Sequence, residues 1–390
     1  MYYTTQNIRV KKYKFQNLFV IFKEFLEDFP MGFQVKIVGD FCNIRCAYCR
    51  NRDFDRTDKA VMSVETLEKF IAFLNTVPQP EVRSSWHGGE PLLAGKDFFK
   101  HIVRIEKEYP EKIWRNAVQT NATLIDEDWA KFFVENNFHI GVSIDGNERV
   151  HNIDRINAAG RGTYKNAMRG VNILRKNGIH PGVICTVTKK TVNYAEEIFL
   201  GLVNSGFKSI SFNVFYNTAS ENKEDEYALT ENEWFNFLKE VFELWYTLND
   251  PSIRVRELDA ILAWTVGKSS NECSFRGSCS QWFAVDYTGD IYPCERFGRS
   301  VHFGSIQTLE NYKNLVVSSN LLNWRNEIRI LPNKCKSCKF LSLCYNGCCS
   351  HRRADSEGIP MYTYCESRIE LFDYIQRKIN PLIIGDKNVI

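Results

Sequence analysis

Residues 33–51 read FQVKIVGDFCNIRCAYCRN. The first nine carry the β-branched and aromatic side chains of a strand. The next eight put Cys42, Cys46 and Cys49 in a C-x3-C-x2-C loop at its end. Four cysteines would close a tetrahedral zinc site. Three ask either for a fourth ligand from elsewhere, for which His87 is a candidate, or for a position left open.

The same strand-then-loop unit recurs. EVRSSWH (81–87), WRNAVQT (114–120), HIGVSID (139–145), PGVICTV (181–187) and SISFNVFY (209–216) read as further strands. Amphipathic stretches such as SVETLEKFIAFLN (63–75) and GTYKNAMRGVNILRKNG (162–178) lie between them. Six strand–helix repeats imply a parallel sheet, because parallel neighbours need crossover connections. The class is α/β, as a doubly wound plane or as a full or partial barrel. In each case the loops at the C-terminal strand ends carry the chemistry. HGGEP (87–91), QTNAT (119–123) and SIDG (143–146) sit at the ends of strands two, three and four, beside the cysteine loop.

Composition narrows the classes. Fifty basic against 47 acidic side chains give a net charge of +3, which argues against a nucleic-acid footprint. No apolar run is long enough to cross a bilayer. Residues 1–30 lack the order of a signal peptide and read as an amphipathic extension of a cytoplasmic protein. Thirteen cysteines in such a chain point to metal. Nine fall between residues 273 and 365, where helical periodicity fades. Eight of these, Cys273, Cys279, Cys294, Cys335, Cys338, Cys344, Cys348 and Cys365, suffice for two four-thiolate clusters or for two zinc sites. Cys185 reads as a buried small hydrophobe, and Cys349 has no reading.

The three-cysteine loop, with aromatic Tyr48 before its last cysteine, together with HGGEP, GVSIDG and HNIDR, resembles the radical S-adenosylmethionine (SAM) superfamily. The later cysteines resemble the SPASM extension of anaerobic sulfatase-maturing enzymes and of ribosomal-peptide maturases. The resemblance implies a partial (β/α)6 TIM-like barrel over 31–220, linking helices over 221–265 and a cysteine-rich iron–sulfur SPASM domain over 266–390. It implies three 4Fe–4S clusters. One, on Cys42, Cys46 and Cys49, leaves an iron open for SAM. Auxiliary cluster I would sit on Cys273, Cys279, Cys294 and Cys348, and auxiliary cluster II on Cys335, Cys338, Cys344 and Cys365. Tyr48, Gly88, Gly89, Glu90, Gln119, Ser143 and Arg155 would meet SAM, with Glu90 accepting from its ammonium. The electron donor would be a flavodoxin or ferredoxin.

Two positions bear on the substrate. Glu295 stands where sulfatase maturases carry an aspartate general base, and Asn51 where they carry a tyrosine. These departures favour a ribosomal-peptide maturase that oxidises or crosslinks a residue. The alternatives are a formylglycine-forming sulfatase maturase, a small-molecule dehydrogenase and, from another class, a multi-zinc binding module. Some thirty residues before the first strand are too few for a leader-peptide domain. Capture would fall to the barrel mouth, the extension or a separate leader-binding protein, with Trp86, Trp282, Phe283 and Tyr287 as candidate grips.

Overall fold

A computed structural model describes residues 31–50, 59–216, 225–268, 272–276, 279, 282–297, 300–354 and 358–385. The N-terminal extension and Asn51 lie outside the described residues.

Six strands, β1 (Met31–Lys36), β2 (Glu81–His87), β3 (Ile113–Thr120), β4 (His139–Ser143), β5 (Gly182–Val187) and β6 (Ser209–Val214), pair in parallel in chain order. The helices α1 (Val64–Asn75), α2 (Lys96–Glu106), α3 (Glu127–Glu135), α4 (Glu148–Asp154), α5 (Tyr164–Lys176) and α6 (Ala195–Asn204) occupy the crossovers. Each start has a local cause. Ser63 caps α1 by accepting from Thr66 N, and Asp126 caps α3 by accepting from Trp129 N. α1 then turns Leu67, Phe70, Ile71 and Leu74 inward.

The sheet does not stop at β6. A two-residue β7 (Arg254–Val255) pairs with β6 in parallel, between the helices α7 (Glu231–Leu248) and α8 (Arg256–Thr265). At the other edge β8 (Trp282–Asp286) pairs in parallel with β1, and β9 (Asp290–Tyr292) and β10 (Gly304–Ser305) continue antiparallel, giving ten strands. The cysteine-rich segment therefore shares the sheet of the strand–helix repeats. Beyond it come a small hairpin, β11 (Arg352–Ala354) with β12 (Pro360–Tyr362), and α9 (Cys365–Gly385), which packs along α7.

The sheet curls. Five strand spacings would put β1 and β6 about 24 Å apart in a flat sheet. Yet Arg50, after the cysteine loop of β1, donates Nη2 to Tyr216 O beyond β6 at 2.6 Å. The C-terminal strand ends therefore surround a common space, as a partial barrel requires.

Aromatic packing joins the barrel to the C-terminal strands. Phe33 on β1 lies 5.9 Å from Phe70 of α1 and 5.8 Å from Phe283 of β8, which meets Phe303 at 6.1 Å. Phe33 and Phe283 are fully buried. Nearby, Trp86 Nε1 donates to Asn116 Oδ1 at 2.8 Å. Asn116 Nδ2 in turn donates to both carboxylate oxygens of Glu106, at 3.0 and 2.8 Å. Burial pushes the Glu106 carboxyl up to about 7, against the lowering effect of Asn116.

Two expectations follow. Phe283→Ala should cost about 3–5 kcal/mol of stability, read as a lowered thermal midpoint and faster proteolysis after residue 266. Glu106, with a folded pKa above its unfolded value, contributes stability that is complete below about pH 4 and lost as pH rises through about 7. Glu106→Gln should remove that part of the decline, so its stability relative to the unmodified chain rises between pH 5 and 8 in denaturant titrations.

Candidate active site

The cysteine loop is held by backbone on two sides. Arg45 N donates to Ile156 O at 2.7 Å and Ala47 N to Asp154 O at 2.8 Å, pinning it to the end of α4. On the other side Gly89 N donates to Gly39 O at 3.2 Å and Glu90 N to Phe41 O at 2.9 Å. Only glycine allows this approach, because a Cβ at residue 89 would lie 1.9 Å from Phe41 O. Gly88, at φ +127°, completes the turn.

These loops surround a cavity of about 860 Å³ at the C-terminal strand ends. Cys42, Cys46 and Cys49 face it, as do Tyr48, Gly88 and Gly89. Gln119 and Ser143 line it as a pair, Gln119 Nε2 donating to Ser143 Oγ at 2.9 Å. Arg155 reaches it from α4, its Nη1 3.8 Å from Cys46 Sγ.

Glu90 lies behind the glycine turn. Its side chain is fully buried and does not line the cavity. The carboxylate accepts from Thr120 Oγ1 (2.7 Å), Asn121 N (2.8 Å) and Leu92 N (3.2 Å). Burial raises it to about 7, against the lowering effect of these donors. In this structure Glu90 fastens the glycine turn to the end of β3, and its oxygens face protein.

Two residues that the sequence left in the background carry much of the site. Asp145, fully inside, takes Tyr48 Oη at 2.8 Å and Arg155 Nε at 2.7 Å on one oxygen. Its other oxygen takes Arg155 Nη2 at 3.3 Å and Thr186 N at 2.8 Å. One carboxylate thus orients the loop tyrosine, the arginine and β5. Asn121 aims Nδ2 at Asn43 Oδ1 (2.9 Å) and at Cys42 Sγ (3.9 Å). Asn121 lies in QTNAT, beside Gln119.

The thiols form three groups. Cys42 is pushed up to about 12 by burial, by Glu90 and by Cys46 and Cys49. Deprotonating all three asks for positive charge among them, and soft thiolate donors suit an iron–sulfur cluster. In the second group Cys279 and Cys294 both feel Cys348, and Cys294 also feels Cys273; burial, then Cys348, raises Cys294 to about 12. In the third, Cys335, Cys338, Cys344 and Cys365 line one cleft under the start of α9, and burial with its three neighbours raises Cys335 to about 11. Among the described residues no three His, Cys, Asp or Glu side chains converge on a single ion. Cys185 is fully buried in β5. Cys349 is hydrogen-bonded to Cys279.

Glu295, beside Cys294, lines the same cavity, with Oε2 3.2 Å from His87 Nδ1. His87 is thus placed toward Glu295. Of the candidate aromatic grips only Tyr287 lines the cavity; Trp86 and Phe283 are fully buried and Trp282 covers Gly32.

Comparison with known proteins agrees with this geometry. The Radical SAM superfamily model matches residues 36–202, and the SPASM iron–sulfur cluster-binding domain matches 273–339. The cysteine-type anaerobic sulfatase-maturating enzyme of Clostridium perfringens (strain 13 / Type A) is 29% identical over 357 residues, 88% of this chain and 96% of that enzyme. The serine-type enzyme of Bacteroides thetaiotaomicron is 29% identical over 373 residues, 89% of each. Native anSMEcpe with bound AdoMet superposes at a TM-score of 0.83 with 28% identity, covering 93% of this chain and 100% of that one. Streptococcus suis SuiB bound to S-adenosylmethionine shares the fold at a TM-score of 0.60 and 14% identity, over 86% of this chain and 76% of that one. The chain carries a radical SAM domain and an SPASM domain, and is a radical SAM enzyme. No helix among the described residues is long and apolar enough to cross a membrane.

Asp145→Ala should leave the Arg155 guanidinium buried without its partner and cost about 3–5 kcal/mol. Asp145→Asn, which keeps an acceptor for Tyr48, should cost less. Denaturant unfolding of the two variants checks the order.

Proposed function

We propose that this radical SAM enzyme oxidises a cysteine or serine side chain of a protein or peptide, in the manner of an anaerobic sulfatase maturase. The observation that carries the reading is likeness over nearly the whole chain to sulfatase maturases of both types, with Glu295 facing the cavity of the three-cysteine loop 3.2 Å from His87. Glu295 stands where the sulfatase maturases carry an aspartate. The sequence alone favoured a ribosomal-peptide maturase because Glu295 and Asn51 depart from the sulfatase-maturase pattern. Likeness over nearly the whole chain to both cysteine-type and serine-type enzymes supports the sulfatase-maturase reading better. SuiB, also solved with its precursor peptide SuiA, supports the fold at 14% identity.

Cys42, Cys46 and Cys49 would hold a 4Fe–4S cluster with one iron left open for SAM, which would supply the radical chemistry for hydrogen abstraction from the substrate side chain. Gly88 and Gly89 would offer backbone to SAM, and Gln119, Ser143 and Arg155, which line the same cavity, would meet it from other sides. Glu295 takes the proton of the substrate hydroxyl or thiol on its carboxylate, with His87 beside it to share the charge. Its extra methylene, relative to aspartate, reaches further into the cavity. Cys273, Cys279, Cys294 and Cys348 hold auxiliary cluster I, and Cys335, Cys338, Cys344 and Cys365 hold auxiliary cluster II. A flavodoxin or ferredoxin would deliver the electron for SAM cleavage, and auxiliary cluster I would take up the electron that the substrate radical gives up as Glu295 takes the proton.

Three clusters of four predict about twelve irons per chain after anaerobic reconstitution. Cys42→Ala should lower that to about eight and abolish 5′-deoxyadenosine formation. Glu295→Gln should slow peptide oxidation by about 10²–10⁴-fold while 5′-deoxyadenosine still forms. Mass spectrometry of a serine-containing sulfatase peptide should show the loss of two hydrogens. Turnover unaffected by Glu295→Gln would remove that residue from the reaction, and zinc in place of iron would return the chain to the binding-module class.

A further inference from the structure

The cavity is wired to the second thiol group through one short path. Tyr216 lines the cavity past β6 and is itself buried. Its hydroxyl lies 2.9 Å from Ser350 Oγ, and Ser350 Oγ lies 3.1 Å from Cys348 Sγ. At its other end Tyr216 is held by the first cysteine loop. Arg50, next to Cys49, donates to its carbonyl at 2.6 Å and covers its ring at 4.5 Å. Tyr216 is thus in contact with the loops of two separate thiol groups.

We propose that Tyr216 and Ser350 form a hydrogen-bonded relay from the cavity to a thiolate of auxiliary cluster I, and that this relay sets the cluster's reduction potential. The inference rests on Cys348 being a ligand of that cluster. Ligation fixes the direction of the chain. A cluster-bound sulfur is a thiolate and can only accept, so Ser350 must donate to it. Ser350 Oγ then accepts from the Tyr216 hydroxyl. The phenol polarises the serine, and the serine withdraws charge from the sulfur. Hydrogen bonds to cluster sulfurs stabilise the reduced, more negative state. Because Ser350 and Tyr216 are buried, no water competes for the donor, and each bond acts at low local dielectric.

A dye-mediated redox titration of the anaerobically reconstituted full chain, followed by electron paramagnetic resonance, tests this. Ser350→Ala should shift one auxiliary wave to lower potential and leave the other waves in place. Tyr216→Phe, which keeps the ring and loses only the hydroxyl, should shift the same wave in the same direction by a smaller amount. The double variant should match Ser350→Ala, because the tyrosine acts only through the serine. Ser350→Thr, which restores a hydroxyl, should return the wave toward its original position. Tyr216→Phe carries the test alone if Ser350→Ala fails to keep its iron. An unmoved wave in Tyr216→Phe at full iron content overturns the relay, as do shifts that add in the double variant. Fewer than about twelve irons in the unmodified chain would overturn the cluster reading itself, independently of the relay.

Discussion

Strand β1 is hydrogen-bonded along both edges, to β2 on one side and to β8 on the other. The three-cysteine loop leaves from its C-terminal end, between the glycine turn that follows β2 and the strand pair that leads to Cys294 and Glu295. One doubly paired strand thereby sets the position of three thiols, of the glycine turn and of the carboxylate proposed as base. The aromatic cluster of Phe33, Phe70 and Phe283 holds that register, since a one-residue slip would turn Phe33 out of the core.

Around the loop the structure uses buried polar groups in places where an apolar core would be more economical of charge. Asp145 carries Tyr48, Arg155 and Thr186, and Glu90 carries Thr120, Asn121 and Leu92. Each carboxylate is saturated by protein donors, so its desolvation is offset by directional bonds. Such bonds tolerate little displacement. They suit a site in which one radical must meet one carbon–hydrogen bond.

Much of this was legible in the residues. The six strands and their helices follow from periodicity, because parallel strands and their crossovers leave strong local patterns, whereas the division of the later thiols into two sets came from the family resemblance. Capping residues such as Ser63 mark the helix starts. The protein partners of Glu90 were not legible: a carboxylate after two glycines looks the same from sequence whatever lies beneath the turn. The weight carried by Asp145, Asn121 and Tyr216 was not legible for a related reason, although SIDG and QTNAT contain the first two. Their importance lies in partners up to 134 residues away in sequence, as for Tyr216 and Ser350. The continuation of the sheet through β8 was missed because the composition change near residue 266 suggested a break, whereas a strand can cross such a change without a signal of its own.

The double pairing of β1 also has a consequence for how the chain is made. Its second neighbour, β8, lies about 250 residues further along. At a synthesis rate of about 5–20 residues per second, the outer edge of β1 waits roughly 10–50 s for its partner. During that interval it is an open edge, the kind of surface that pairs with other chains. Lys36, on that edge, and Asp40, just beyond it, supply charges that discourage such pairing. Maturation in the cell is thus a race between the ribosome reaching Trp282 and the nascent barrel finding the wrong neighbour.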